Sequence, residues 1–349
     1  MNYGMPYMGS KSKIAEWVVS NLPSADIWIE PFAGGCAVTH AAILSGKYKH
    51  FIINDITDSA ATFLCAIKGG FKNENRWISR EDFFRLKNTD PYVRICFSFG
   101  NDQKTYCYGD IEPYKRAFHY AVMFNDFKPF AELGILIPDC VLNGCKNTYE
   151  KRLRIKKILI QIRKDKHAGD LQSLESLESL ESLQSLESLE RLQSLERLQS
   201  LQSLESLESL ESLQSLESLE RLQSLERLQS LESLESLERL QSLQGDYKTI
   251  SIPADKSYVI YCDPPYKNTS SYLDDFNHED FYKWALKQDN CYISEYNMPD
   301  SFVRIALKSK LSLKAATGNR KIKEEGIWVS KENVNRMSNV YMPLFKNFI

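Results

Sequence analysis

Four residues, Asp263-Pro-Pro-Tyr266, close the apolar run Val259-Ile-Tyr-Cys262. Two prolines directly after a buried strand remove two backbone donors and fix the loop. The Asp263 carboxylate and the Pro264 carbonyl are then neighbouring acceptors at the end of the strand. Paired acceptors match the two N–H bonds of an exocyclic amine, and the Tyr266 ring offers a face on which a flat heterocycle can stack. The bland alternative, a turn closed by a core tyrosine, fits poorly with the strand before it. A second constellation starts at Asp26-Ile-Trp-Ile-Glu-Pro-Phe-Ala-Gly-Gly-Cys-Ala-Val38, which reads as a strand, a two-glycine turn and a helix. Such a turn lets backbone approach a ligand at the carboxyl end of a strand, where open α/β sheets place their sites. Phe51-Ile-Ile-Asn-Asp55 then ends another strand in a carboxylate. Asp55 is placed either to accept hydrogen bonds from ribose hydroxyls or to cap the helix that follows.

The elements that must position these groups are legible nearby. Helices are expected over Lys13–Leu22, Ala37–Leu44, Asp58–Ile67 and Glu279–Leu286, and strands over Asp26–Glu30, His50–Asn54, Ser257–Cys262 and Cys291–Glu295. Strands alternating with helices indicate an α/β domain with a mainly parallel sheet. A long stretch of chain separates its early strands from its late ones.

Much of that stretch is repetitive. From Leu171 to Gln244 the chain is built of units reading Leu-Gln-Ser, Leu-Glu-Ser or Leu-Glu-Arg, and residues 171–200 and 201–230 are identical. Leucine at every third position suits neither the 3.6-residue period of an amphipathic helix nor the alternation of a half-buried strand. The units contain good helix formers and no glycine or proline, so a long helical rod is the expectation. A stacked solenoid is the runner-up. The tract holds 15 Glu and 5 Arg, whereas the other 275 residues hold 39 Lys and Arg against 31 Asp and Glu. A formal net charge of -2 therefore conceals a basic body, as expected of a protein that meets a polyanion, and an acidic tract that DNA would repel. The tract is expected to act as a spacer or a self-association element.

At 349 residues and 43% hydrophobic content the chain is long enough for more than one domain. No apolar run approaches the roughly 20 residues of a membrane span, no leader is evident and eight scattered cysteines suit a reducing compartment, so a cytoplasmic location is expected. The five scattered histidines suggest no ligand set, and the expected chemistry calls for no metal.

On these motifs the chain resembles the Dam-like DNA adenine N6-methyltransferases, particularly those of phages and prophages, over nearly all of its non-repeat residues. Pro6-Tyr-Met-Gly-Ser-Lys11 is similar to the family's N-terminal cofactor element, which implies that Tyr7 and Lys11 help to hold S-adenosylmethionine. Glu30-Pro-Phe-Ala-Gly-Gly35 resembles its cofactor-binding turn and implicates Phe32, Gly34 and Gly35, with Cys36 standing where many members have another glycine. Asp55 matches the ribose-binding acid, and Asp263, Pro264 and Tyr266 match the catalytic motif. Tyr292-Ile-Ser-Glu-Tyr-Asn-Met-Pro299 is similar to another segment of the phage-type enzymes, without an implied catalytic role.

The resemblance implies a Rossmann-like, S-adenosylmethionine-dependent fold. Its catalytic domain is expected over 1–76 and 245–349, a target-recognition region over 77–170 and the repeat insert over 171–244. It implies adenine N6 methylation of double-stranded DNA by base flipping, as an adenine-specific DNA methyltransferase. The alternatives are cytosine N4 methylation, or a DNA-binding and assembly protein acting through the tract. Phosphate contacts are expected from Arg152, Arg154, Lys156 and Lys157 and from Arg320 and Lys321, which stand in the two strongest basic segments.

Overall fold

The computed structural model describes residues 3–160, 162, 217–231, 239–253, 255–266, 276–312 and 321–334. The chain divides into two units, one formed by Met1–Lys72 with Gln223–Ile349 and the other by Asn73–Leu222.

The first unit is a seven-stranded sheet with strands β1 (Ile27–Glu30), β2 (His50–Asp55), β3 (Leu240–Gln244), β4 (Tyr258–Cys262), β5 (Cys291–Glu295), β6 (Phe302–Ser312) and β7 (Lys321–Ser330). Their order is β3-β2-β1-β4-β5-β7-β6. Strands β1 to β5 run parallel, and β7 is antiparallel to both β5 and β6. This is the mainly parallel α/β sheet that the alternation of elements predicts and the Rossmann-like fold that the resemblance implies. All residues of β1 and β5 are buried, as expected of central parallel strands covered on both faces. Alternation divides the faces. Ile27, Ile29, Ile260, Cys262, Cys291 and Ile293 join one apolar cluster with Phe281, while Trp28 stacks on Tyr261 on the other face, their ring centroids 5.6 Å apart. Helices α1 (Ala15–Ser20), α2 (Ala37–Ser45) and α3 (Ser59–Ile67) fall close to the expected positions, as does the helix His278–Leu286.

The second unit is helical among its described residues: α4 (Arg80–Leu86), α5 (Pro91–Cys96), α6 (Glu112–Phe124), α7 (Lys128–Glu132) and a helix over 148–160. Its core is aromatic, with Trp77 stacked on Tyr108 and edge-on to Phe97 and His119.

Where the repeat tract is described, it takes more than one form. Its helical character appears in Glu217–Arg227, continued by a 3₁₀ turn over Leu228–Leu231, and Leu219, Leu222, Leu225, Leu228 and Leu231 are all buried. In the α-helix leucines three apart step around the axis, whereas in the 3₁₀ turn they share one side. The last units then change form and become β3, an edge strand paired in parallel with β2 from Phe51↔Leu240 to Asp55↔Gln244. Pairing with β2 supplies backbone hydrogen bonds that override the helix preference of Leu-Gln-Ser. Residues 163–216 and 232–238 of the chain lie outside the described residues, and the expectation of a continuous rod falls largely on them. Among the described residues no helix is long and apolar enough to cross a membrane.

Candidate active site

Strand order reverses between β1 and β4, so the crevice beyond their carboxyl ends is the switch point at which open α/β sheets bind ligands. The β1 side is the glycine turn. Asn54, at the end of β2, fastens it: its Nδ2 donates to the Pro31 carbonyl at 3.0 Å and its own carbonyl accepts from Ala33 N at 2.9 Å. Gly34 has φ +47 and its N–H donates to Asp55 Oδ2 at 2.8 Å. Cys36, the N-cap of α2, takes φ 55, a left-handed conformation that glycine adopts more cheaply. The N-terminal segment lies over this turn, with Met5 N donating to the Gly35 carbonyl at 2.7 Å and Gly4 N donating to His40 Nδ1 at 3.0 Å. Burial lowers the His40 pKa to about 4, which keeps that nitrogen free to accept. Gly35 is required by this close approach, since a Cβ there would stand 2.6 Å from Tyr7 Cβ and 2.8 Å from the Met5 carbonyl oxygen.

The β4 side is a buried charge cluster. Lys11 Nζ lies 3.0 Å from Asp263 Oδ1 and 3.3 Å from Glu325 Oε1, and it also donates to the Tyr266 hydroxyl. The Tyr266 hydroxyl in turn donates to Glu325. Burial alone would depress the Lys11 ammonium, but the two carboxylates outweigh it and its pKa is raised. Burial likewise pushes Asp263 up to about 6, opposed by Lys11 and reinforced by Glu325. Two carboxyl groups share one ammonium, leaving the pocket with an excess of negative charge. Glu30, which accepts from Thr39 and Trp28, is pushed up to about 8 by burial. The Tyr266 ring meets Tyr296 edge-on at 4.7 Å, and Lys11 Nζ stands 4.3 Å from its centroid. The ring of His278 donates to the Pro265 carbonyl at 2.9 Å and pins the loop.

Residues 7–120 match the family of D12 class N6 adenine-specific DNA methyltransferases. The match covers about a third of the chain and marks what that stretch is similar to. No curated relative matches it. The match points to adenine-specific DNA methylation, a reaction that takes DNA and a methyl donor. The matched stretch holds Tyr7, Lys11, Phe32, Gly34, Gly35 and Asp55 and stops short of Asp263.

In the structure, the expected site residues fall into two groups. Tyr7, Gly34, Gly35 and Asp55 come together around the glycine turn, while Lys11, Asp263 and Tyr266 come together at the end of β4. Lys11 thus touches the Asp-Pro-Pro-Tyr residues, although the resemblance assigns it to the cofactor. Phe32 packs into an aromatic cluster with Tyr247, Phe276 and Phe281. Asp55 does not cap α3, whose N-cap position is Asp58; besides Gly34 it accepts from Thr57 N and Oγ1.

Of the expected phosphate contacts, Arg152 pairs with Glu220 at 2.8 Å and Arg154 donates to the Val141 and Asn143 carbonyls, whereas Lys156 and Lys157 are exposed. Arg320 and the side chain of Lys321 lie outside the described residues. Sequence reasoning missed Glu325, His40 and His278. Only Glu325 left a signal, a glutamate in a strand otherwise closing on Ile327 and Val329.

Proposed function

We propose that this methyltransferase moves the methyl group of S-adenosylmethionine to the N6 amine of an adenine flipped out of duplex DNA into the Asp263 pocket. The observation that carries this reading is a partly buried carboxylate at the end of β4, beside the strand-order reversal, held by a buried lysine that it shares with a second carboxylate. The glycine turn fits the cofactor. A carboxylate has about four acceptor positions, and Asp55 uses three on Gly34 and Thr57, which leaves one for a ribose hydroxyl. Gly34, Gly35 and Tyr7 form the wall beside it, and Phe32 is only partly buried, so its ring keeps some surface for a flat group.

When bound, S-adenosylmethionine supplies an electrophilic methyl, so the protein's task is positioning and electrostatics. The target amine is a poor nucleophile because its lone pair is delocalised into the ring. Asp263 and the Pro264 carbonyl accept hydrogen bonds from its two N–H groups, favour a pyramidal nitrogen and stabilise the positive charge that develops on it. Asp263 is then placed to take the proton that the methylated nitrogen sheds. Tyr266 and Tyr296 are the rings against which the extruded base rests. Lys156 and Lys157 are our candidates for phosphate contact.

The test is methyl transfer from labelled S-adenosylmethionine to unmethylated duplex DNA, followed by nucleoside analysis. Label in N6-methyladenine is expected, and label in N4-methylcytosine would sink the adenine assignment. The reaction needs Asp263 as the carboxylate, so its rate is expected to rise with pH through about 6 and then level off. Gly35→Ala forces a Cβ against the Met5 carbonyl, which as backbone cannot swing aside, so the N-terminal segment must lift. Cofactor affinity should fall about tenfold or more, roughly 1.4 kcal/mol, in a calorimetric titration. An unchanged affinity would remove the glycine turn from the cofactor site.

A further inference from the structure

The Lys11 ammonium has three donors, and in the free protein they are directed at Asp263, Glu325 and the Tyr266 hydroxyl. Lys11 therefore holds on to the very carboxylate that the target amine must use. For the amine to take Asp263, the ammonium has to give it up while remaining in a pocket where an unpaired charge is costly. Glu325 comes from β7, a strand outside the parallel part of the sheet, and is almost fully buried within reach of the same ammonium. It also accepts from Tyr266, whose ring is set edge-on to Tyr296.

We propose that Glu325 is a positioning residue, which receives the Lys11 ammonium when the target amine binds Asp263 and anchors the Tyr266 ring through its hydroxyl. This rests on the reading of Asp263 as the amine acceptor. Lys11 slides on its flexible stem from two carboxylates to one and never becomes unpaired. Without Glu325, Asp263 is the one carboxylate among the described residues that still pairs directly with the ammonium, and the ammonium competes with the substrate for it.

Asp263 is faced by Lys11 from the N-terminal segment, Glu30 from β1, Tyr261 and Tyr266 from its own strand and loop, Glu295 from β5 and Glu325 from β7. Among these Lys11 favours the ionised carboxylate, while Glu325 disfavours it. Removing the Glu325 charge should therefore make Asp263 easier to ionise even as it makes the enzyme slower. These opposite movements separate the proposal from a packing role.

The experiment compares wild type, Glu325→Gln, Glu325→Asp and Asp263→Ala in steady-state methylation of duplex DNA from pH 5 to pH 9, with S-adenosylmethionine binding measured alongside. For Glu325→Gln we expect kcat to fall about 10- to 100-fold, cofactor affinity to hold within about twofold, and the acid limb of the profile to move to lower pH. Glu325→Asp should lie between it and wild type in both rate and limb. An unchanged kcat in Glu325→Gln, or a lower one with the acid limb in place, overturns the proposal. If Glu325→Gln does not fold, an unmoved limb in Glu325→Asp overturns it equally. Activity surviving in Asp263→Ala would instead overturn the reading of the site itself.

Discussion

Asp263→Ala is expected to lower kcat for DNA methylation by about a hundredfold to a thousandfold or more, the range seen when one preorganised electrostatic partner of a transition state is removed. The variant loses the acceptor that pyramidalises the amine and stabilises its developing charge. Its fold should survive, because Lys11 keeps Glu325 as a counter-ion and β4 ends before residue 263. Cofactor binding should be nearly untouched, since Tyr7, Gly34, Gly35 and Asp55 form a separate group around the β1 turn. Asp263→Asn is expected to fall between the two, keeping one acceptor oxygen but turning an N–H₂ group towards Lys11 or the substrate. Single-turnover methylation together with equilibrium binding of S-adenosylmethionine checks this. A loss of binding without a loss of the bound-state rate would move Asp263 out of the reaction.

The second large effect concerns stability and lies within the repeats. Arg221 is buried, and its guanidinium donates to the carbonyls of Ser98, Cys96 and Ile95 at and just beyond the end of α5. Helix ends leave carbonyls without partners, and an arginine placed over them satisfies several at once. Arg221→Ser converts one repeat variant into another that the tract uses many times. It should nonetheless destabilise the protein by about 2–4 kcal/mol, because buried carbonyls lose a charged donor and a cavity is left. The same exchange at Arg227 is expected to cost about 0.5 kcal/mol or less. Arg227 is exposed, and among the described residues its side chain bonds within its own helix, to the Gln223 carbonyl and Ser224 Oγ. Denaturant unfolding of both variants measures the difference. Equal midpoints would mean that position within the tract carries no information.

What the sequence disclosed followed periodicity. Strands β1, β2, β4 and β5 are short apolar runs ending in Glu30, Asp55, Cys262 and Glu295, and both the runs and the alternation with helices were readable. Asp263 was readable because proline chemistry after a buried strand has few other uses. Lys11 was singled out through the family resemblance, but its partners were not, since Glu325 lies far along the chain and is brought near by the pairing of β7 with β5. That pairing belongs to a hairpin whose strands, from Phe302 to Ser312 and Lys321 to Ser330, are rich in charge and lack a clean apolar face. β3 was unreadable for a different reason. Leu-Gln-Ser has neither a period of two nor of 3.6, so its strand form depends on the edge of β2 that it joins.

The sheet thus takes its edge strand from a sequence of which the chain holds spare copies. Residues 187–200 are identical to 217–230, the segment that supplies Arg221 and most of the buried leucines. Excising residues 171–244 would therefore remove part of the enzyme itself, whereas excising 171–200 leaves every described residue unchanged in sequence. Units of three residues also mean that the gene can gain or lose three codons at a time upstream of these segments without disturbing either their reading frame or their strand register. The folded enzyme is insulated, over a range of copy numbers, from the instability of the DNA that encodes it.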